Sequence, residues 1–315
     1  MSEFFIELFS EEIPANLQNK TRQDFFQNLK EFLEKEDIKY SGEATAFSIP
    51  NRLIVYFQNI SKKITKKENE IRGPNINAPQ DALKGFLKSY KISIDKTYKK
   101  KTDKGEFYFF KKPSESIETK FVLQKNLPKI LDKTSWKKSM RWADHELYWG
   151  RPLKSILCCF DNKTLEFVYH HLVSSNITFI DKDFEQKTKK FVRFKDYLAF
   201  FKSQNIILDN KKREQFIVDQ LNRIAKKENL KIHFNSTLLN EVTNIVEKPN
   251  IIKCRFNKRF LEIPDDILVT TMQVHQKYFP TFDSRDNLTN NFFLVADNKD
   301  SKGLIKIGNE NVVEA

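Results

Sequence analysis

Residues 138–156 read KSMRWADHELYWGRPLKSI and crowd two Trp, two Arg, an Asp, a His and a Glu into one short run. Guanidinium and indole groups side by side suit stacking on bases or clamping a phosphate, whereas carboxylates beside a His suit metal binding or proton transfer. The metal reading is the weaker one. Asp144, His145 and Glu146 are consecutive, so they cannot all point one way along a strand, and no H-E-x-x-H or paired-Cys spacing accompanies them. His170 and His171 are likewise adjacent and fall on opposite sides of the strand predicted there, so at most one of them faces a site. Cys158, Cys159 and Cys254 form an adjacent pair and a distant third, which fits buried thiols rather than a disulfide framework or a zinc site. No metal is expected. The Arg residues say more, because the chain holds 11 of them against 44 Lys. Arg52, Arg72, Arg141 and Arg151 stand out, and planar bidentate contact to phosphate or carboxylate is what Arg offers over Lys. For Arg52 and Arg72, pairing with internal carboxylates to lock subdomains together explains the residue equally well.

The elements that must position these groups come from a chain of 315 residues, 39% hydrophobic and 13% aromatic, which is enough for a Phe-rich core and two to three subdomains. Its 55 basic and 42 acidic residues leave a net charge of +13, which favours an anionic partner; a general bias towards Lys, Asn, Ile and Phe explains the same number. The opening MSEFFIELFSEEIP carries acids where a signal peptide carries basic residues, and no apolar run approaches the roughly 20 residues of a bilayer span. A cytoplasmic protein with no membrane partner is expected.

Residues 4–9 read as a buried strand, and Glu11 and Glu12 stand before a helix where negative charge suits the dipole. Residues 44–60 hold two strands, TAFSI and RLIVYF, followed by a turn at RGP (72–74) and a helix over 82–91. GEFYFFKK is a strand and FVLQKNLPKIL a helix, and residues 153–173 form a hairpin turning at Asp161, Asn162 and Lys163. Residues 196–230 are helical, with Phe216, Val218, Leu221 and Ile224 on one face. LLNEVTNIVEKP is a helix ending near Pro249, NIIKCRF a strand, and PDDILVTTMQVHQ a helix with Pro264 near its first position. YFPTFD and NFFLVAD close a hairpin. Strands and helices intermix without regular βαβ alternation, so the class is α+β with mixed sheets. The subdomains are placed at 1–135, 136–235 (hairpin plus helices) and 236–315. There is no GxxxxGK[ST], GxGxxG, GxSxG or kinase signature, so no self-contained nucleotide site is expected.

Seven stretches, in order, resemble one family, the β subunit of bacterial heterotetrameric glycyl-tRNA synthetase. FSEEIP (9–14) is similar to its GTEELP start and IPNRLIV (49–55) to its TPRRLAV. RGP, KSMRWAD with RPLKSI, NEVTNIVEKP, and the run from Pro264 through HQKYFPTFD to the terminal GNENVVEA follow in register. The resemblance covers the whole chain. It departs where the family has TxGHRF, because ITFIDKDF (177–184) lacks the Gly and His. It also stops at Ala315, whereas family members continue into an HD-type domain and an anticodon-binding domain, so the chain looks like the front half of a β subunit. The resemblance implies that a separate class II α subunit uses ATP and magnesium to activate glycine, while the β subunit grips glycine tRNA. It implies no catalytic residue and no cofactor on this chain. It implies a fold similar to the body and tail modules of archaeal CCA-adding enzymes, which hold tRNA near its acceptor arm. Arg52, Arg72, Lys138, Arg141, Trp142, Arg151 and Lys277 are the positions then expected to touch tRNA or a neighbouring subunit, with the Trp side chains mostly core. A second class stays open, a free-standing RNA-binding module without a synthetase partner.

Overall fold

A computed structural model describes residues 2–66, 68–180 and 187–315. The chain opens with β1 (Glu3–Ser10) and α1 (Ala15–Lys35), then the hairpin β2 (Ala44–Ile49) and β3 (Arg52–Gln58). A basic stretch follows with β4 (Lys63–Lys66), β5 (Asn69–Asn75), α2 (Gln80–Tyr90), β6 (Thr97–Thr102), β7 (Gly105–Lys112) and β8 (Glu115–Glu118). Next come α3 (Thr119–Asp132), β9 (Leu153–Phe160), β10 (Lys163–Thr164), and the short strands β11 (Val168–Tyr169), β12 (Leu172–Val173), β13 (Ile177–Phe179) and β14 (Thr188–Lys190). The rest is α4 (Phe194–Ser203), α5 (Asn210–Lys227), α6 (Ser236–Ile245), β15 (Asn250–Arg255), α7 (Asp265–Thr270), β16 (Phe279–Phe282), β17 (Leu288–Ala296) and α8 (Leu304–Glu314).

The first body is a five-stranded antiparallel sheet in the order β10-β9-β1-β3-β2. β1 lies between β3 and β9 with both faces covered, which is why FFIELF is a nearly unbroken apolar run rather than an alternating one. Phe4, Ile6 and Leu8 face α1 and α3, where Phe25, Leu29 and Leu33 repeat every four residues; Phe5 faces α4. Glu7, the one charge inside the run, is fully buried and accepts hydrogen bonds from Arg52, Thr178 and Tyr197. The second body wraps α5 and α6 on one side of the sheet β15-β17-β16, with α7 and α8 on the other. The α+β class holds.

Several expectations need correction. The boundary at 135/136 separates strands of one sheet, because β9 pairs with β1; the one at 235/236 splits the cluster in which Ile217 and Leu221 of α5 pack with Leu238 and Val242 of α6. The single helix over 196–230 is two helices, since Asn205 takes a left-handed φ of 60° and the Asp209 carboxylate caps a new start by accepting from Lys211 and Lys212 N–H. The buried row of α5 is Arg213, Ile217, Leu221 and Ala225, which leaves Phe216 38% exposed. RGP lies within β5 at a shift in its ladder, not in a turn. The return arm of the 153–173 hairpin pairs only through β10, and His170 and His171 form the turn between β11 and β12 rather than a strand. α7 is followed by a wider π-type turn over Thr271–His275, and Pro264 is its N-cap. Glu11 and Glu12 do not cap α1, which begins after Pro14; Glu11 instead pairs with Lys154 at 2.5 Å. Of the ITFIDKDF stretch, residues 181–184 lie outside the described residues.

Candidate nucleic-acid interface

The stretch after α3 is a loop pinned at its neck. Met140 N–H donates to the Trp149 carbonyl at 2.8 Å and Trp149 N–H donates back at 3.1 Å, so residues 141–148 project as one arch. The indoles turn inward. Trp149 is 1% exposed, Trp136 packs edge-on against it at 5.1 Å, and Leu147 is buried beneath. Gly150 makes this possible, because a Cβ there would sit 2.1 Å from the Trp136 ring. Lys138, Arg141, Asp144, Glu146 and Tyr148 turn outward, and neither Lys138 nor Arg141 makes an ion pair among the described residues. The indoles are mostly core, as expected, but Asp144, Glu146 and Tyr148 are exposed beside the cations and Arg151 is half-buried.

Trp142 is half-buried and stands edge-on to His145 and His171 at 6.2 and 5.8 Å. Those two imidazoles stack at 3.6 Å with planes 3° apart, at a shallow opening that Asp144, Glu146 and His170 also line. Burial, and then the neighbouring His145 and His170, hold the His171 imidazole below the ordinary histidine pKa. Among the described residues no three His, Cys, Asp or Glu are grouped as metal ligands. All three cysteines are buried, and burial pushes their thiols up, Cys159 and Cys254 to about 12.

The other expected contact residues part company. Arg52 is 1% exposed: its Nη1 meets Glu7 at 3.1 Å and the Thr178 hydroxyl at 2.8 Å, its Nη2 donates to the Phe179 carbonyl, and the rings of Phe9 and Phe201 flank its guanidinium. It cannot reach an outside partner, and its expected contact role is withdrawn. Lys277 is half-buried and pairs with Glu241 at 2.8 Å while donating to the Val274 carbonyl, so it ties the π-type turn to α6. Arg151 is half-buried, donates to the Gly150 carbonyl at 2.9 Å, and edges a polar opening of about 490 Å³ shared with Glu11, Glu12 and Lys154. That opening holds as many carboxylates as cations. Arg72 is exposed on β5, in a different sheet from the arch.

Sequence reading by single residues missed where the charge lies. Residues 61–118 hold 15 Lys or Arg and 8 Asp or Glu, so an excess of seven of the chain's thirteen positive charges falls in this stretch. It builds the sheet β5-β7-β6 and the ribbon β4-β8, and Lys99, Lys100, Lys101 and Lys104 crowd one hairpin end. A sliding count of charge would have found it.

The sequence model of a family described as "Glycyl-tRNA synthetase beta subunit" matches residues 4–315. The chain is 34% identical over 318 residues to a glycine-tRNA ligase beta subunit of Rickettsia felis, covering 100% of the chain and 48% of that protein. It is 35% identical over 317 residues to that of Rickettsia prowazekii, covering 100% of the chain and 47% of the relative. The chain belongs to the glycyl-tRNA synthetase beta subunit family. The family match runs from β1 to α8, so it takes in both bodies, the arch and the basic stretch alike. The chain spans about half the length of the curated relatives it matches. Among the described residues no helix is long and apolar enough to cross a membrane.

Proposed function

We propose that this chain is a non-catalytic, tRNA-binding part of a glycyl-tRNA synthetase β subunit. It works in the cytoplasm beside a class II α subunit, which joins glycine to its tRNA with ATP and magnesium. Family membership supports the ligase assignment. The observation that carries the binding role is the basic excess of residues 61–118, joined by the exposed Lys138 and Arg141, which make no ion pair among the described residues. Cations of this kind neutralise backbone phosphates, release counterions and position an RNA without reading its bases.

Binding of glycine tRNA by the purified chain, titrated over salt, tests this. The expected result is a roughly micromolar affinity that falls steeply with salt, and a log–log slope that flattens by about 0.7–0.9 in Arg141→Ala at unchanged melting temperature. No glycine-dependent pyrophosphate exchange is expected from the chain alone. A melting temperature that drops while the slope stays put would make Arg141 structural, and glycine-dependent exchange without an α subunit would overturn the division of labour.

A further inference from the structure

The sheet β5-β7-β6 has one face against α2 and one turned away from it. On the first, the Phe86 ring of α2 fills the space beside Gly73, and its Tyr90 meets Phe110 at 6.2 Å. Side chains alternate across a strand, so the residues paired in register with Phe107, Phe109 and Lys111 point the other way. They are Arg72 and Tyr98 opposite Phe109, Lys100 opposite Phe107, and Glu70 opposite Lys111. On this face Phe109 is 7% exposed, with Tyr98 beside its ring and Lys100 over it, whereas Arg72 and Lys100 are themselves exposed.

The groups on this face are ordered. The Arg72 guanidinium carbon lies 3.5 Å from the centre of the Phe107 ring, and Arg72 makes no ion pair among the described residues. Tyr98 stacks beside Phe109 at 6.1 Å with planes 28° apart. Glu70 accepts from the Tyr98 hydroxyl at 2.5 Å and from Lys100 at 2.5 Å, which fixes both side chains, and Lys100 lies 5.4 Å over Phe109. The cations are therefore interleaved with rings, and Arg72 is exposed while backed by Phe107. A guanidinium backed by a ring is a flat, charged surface onto which a base can stack. A duplex hides its base faces, so it would meet only the charges.

We infer that the face of β5-β7-β6 turned away from α2 is a stacking platform for unpaired nucleotides of an RNA, with Arg72 on Phe107 as its first stacking plane and Lys100, Lys111 and the hairpin lysines along the backbone. This rests on the RNA-binding role proposed above and adds to it a contact with bases.

The discriminating variant is Arg72→Lys, which keeps the charge of an exposed residue and removes the plane. Fluorescence anisotropy would compare the whole chain's binding to a short oligouridylate and to an RNA hairpin stem of similar phosphate count. A 2-aminopurine placed in the oligonucleotide reports stacking by its quenching. The expected result is a roughly tenfold loss for the oligouridylate in Arg72→Lys, with quenching reduced, the salt slope unchanged and the stem bound as before. Phe107→Leu, checked for an unchanged melting temperature, is expected to match it. Equal affinities in wild type and Arg72→Lys, equal losses on oligonucleotide and stem, or no wild-type binding to oligouridylate would each overturn the platform. The broader reading fails separately, through an absence of glycine tRNA binding by the wild type.

Discussion

Arg52 and Arg72 are the same residue type in opposite surroundings, the first buried and the second exposed. Arg52 sits beneath α4 with Glu7 fully buried against it, so removing the guanidinium strands a carboxylate in the core. Losing one partner of a buried pair costs about 3–5 kcal/mol, far more than the pair itself contributes relative to an apolar replacement. Arg52→Ala is therefore expected to lower stability to denaturant by roughly that amount, and a double variant Arg52→Met with Glu7→Leu to recover most of it. Equilibrium denaturation checks this, and a loss under about 1 kcal/mol in Arg52→Ala would mean that Glu7 is satisfied by Thr178 and Tyr197 alone. The need for such a cation is legible in FFIELF, where Glu7 is the single charge in a buried run. Its identity is not, because it depends on a register that brings residue 52 back over a strand 45 positions earlier.

The elements were readable where one period dominates. Strand 4–9, strand 105–112 and the closing hairpin follow from apolar content and turn residues, and their observed ends lie within a residue or two, except that the last strand starts three residues earlier, at Leu288. The break at 204–209 was not, because helical periodicity continues across it while the Asp209 cap and the left-handed Asn205 restart the helix in a new direction. The His170–His171 turn hides in an alternating pattern, since it needs a left-handed His170 that no Gly announces. The arch over 141–148 depends on the neck between Met140 and Trp149 and on the absence of a side chain at residue 150. Gly150→Ala must push Trp136 off Trp149, as overpacking of a closed contact costs about 1–3 kcal/mol. The expected outcome is a lower melting temperature together with a red shift of tryptophan emission as Trp136 is displaced. Unchanged emission and melting would mean that the loop absorbs the methyl group by a backbone shift.

At the scale of the molecule, the two bodies meet through polar groups rather than a shared apolar core. Arg213 of α5 is fully buried and faces no carboxylate partner in its hydrogen bonds: Nε donates to the Thr243 carbonyl at 2.7 Å, Nη2 to the Ser48 carbonyl at 2.9 Å, and Nη1 to the Ile207 and Leu208 carbonyls. Ser48 belongs to β2 of the first body and Thr243 to α6 of the second, so one guanidinium joins them. Burial brings its pKa down to about 10, which still leaves it charged at neutral pH. Gln18 of α1 adds a bond to the Asn244 carbonyl at 2.7 Å. Bodies held this way unfold together only while the tie is intact, because each buried carbonyl left without its donor costs about 1–3 kcal/mol. Trp136, Trp142 and Trp149 all lie in the first body, so tryptophan emission follows that body alone, whereas far-ultraviolet circular dichroism follows both. In the wild type the two signals are expected to trace one denaturant transition. In Arg213→Met, which keeps the apolar stem and removes every donor, the circular dichroism is expected to begin falling at lower denaturant than the emission, as α5, α6 and their sheet melt first. Superimposed transitions in the variant, merely shifted together, would show that the apolar contacts between the bodies suffice to couple them and that Arg213 is one stabilising group among many.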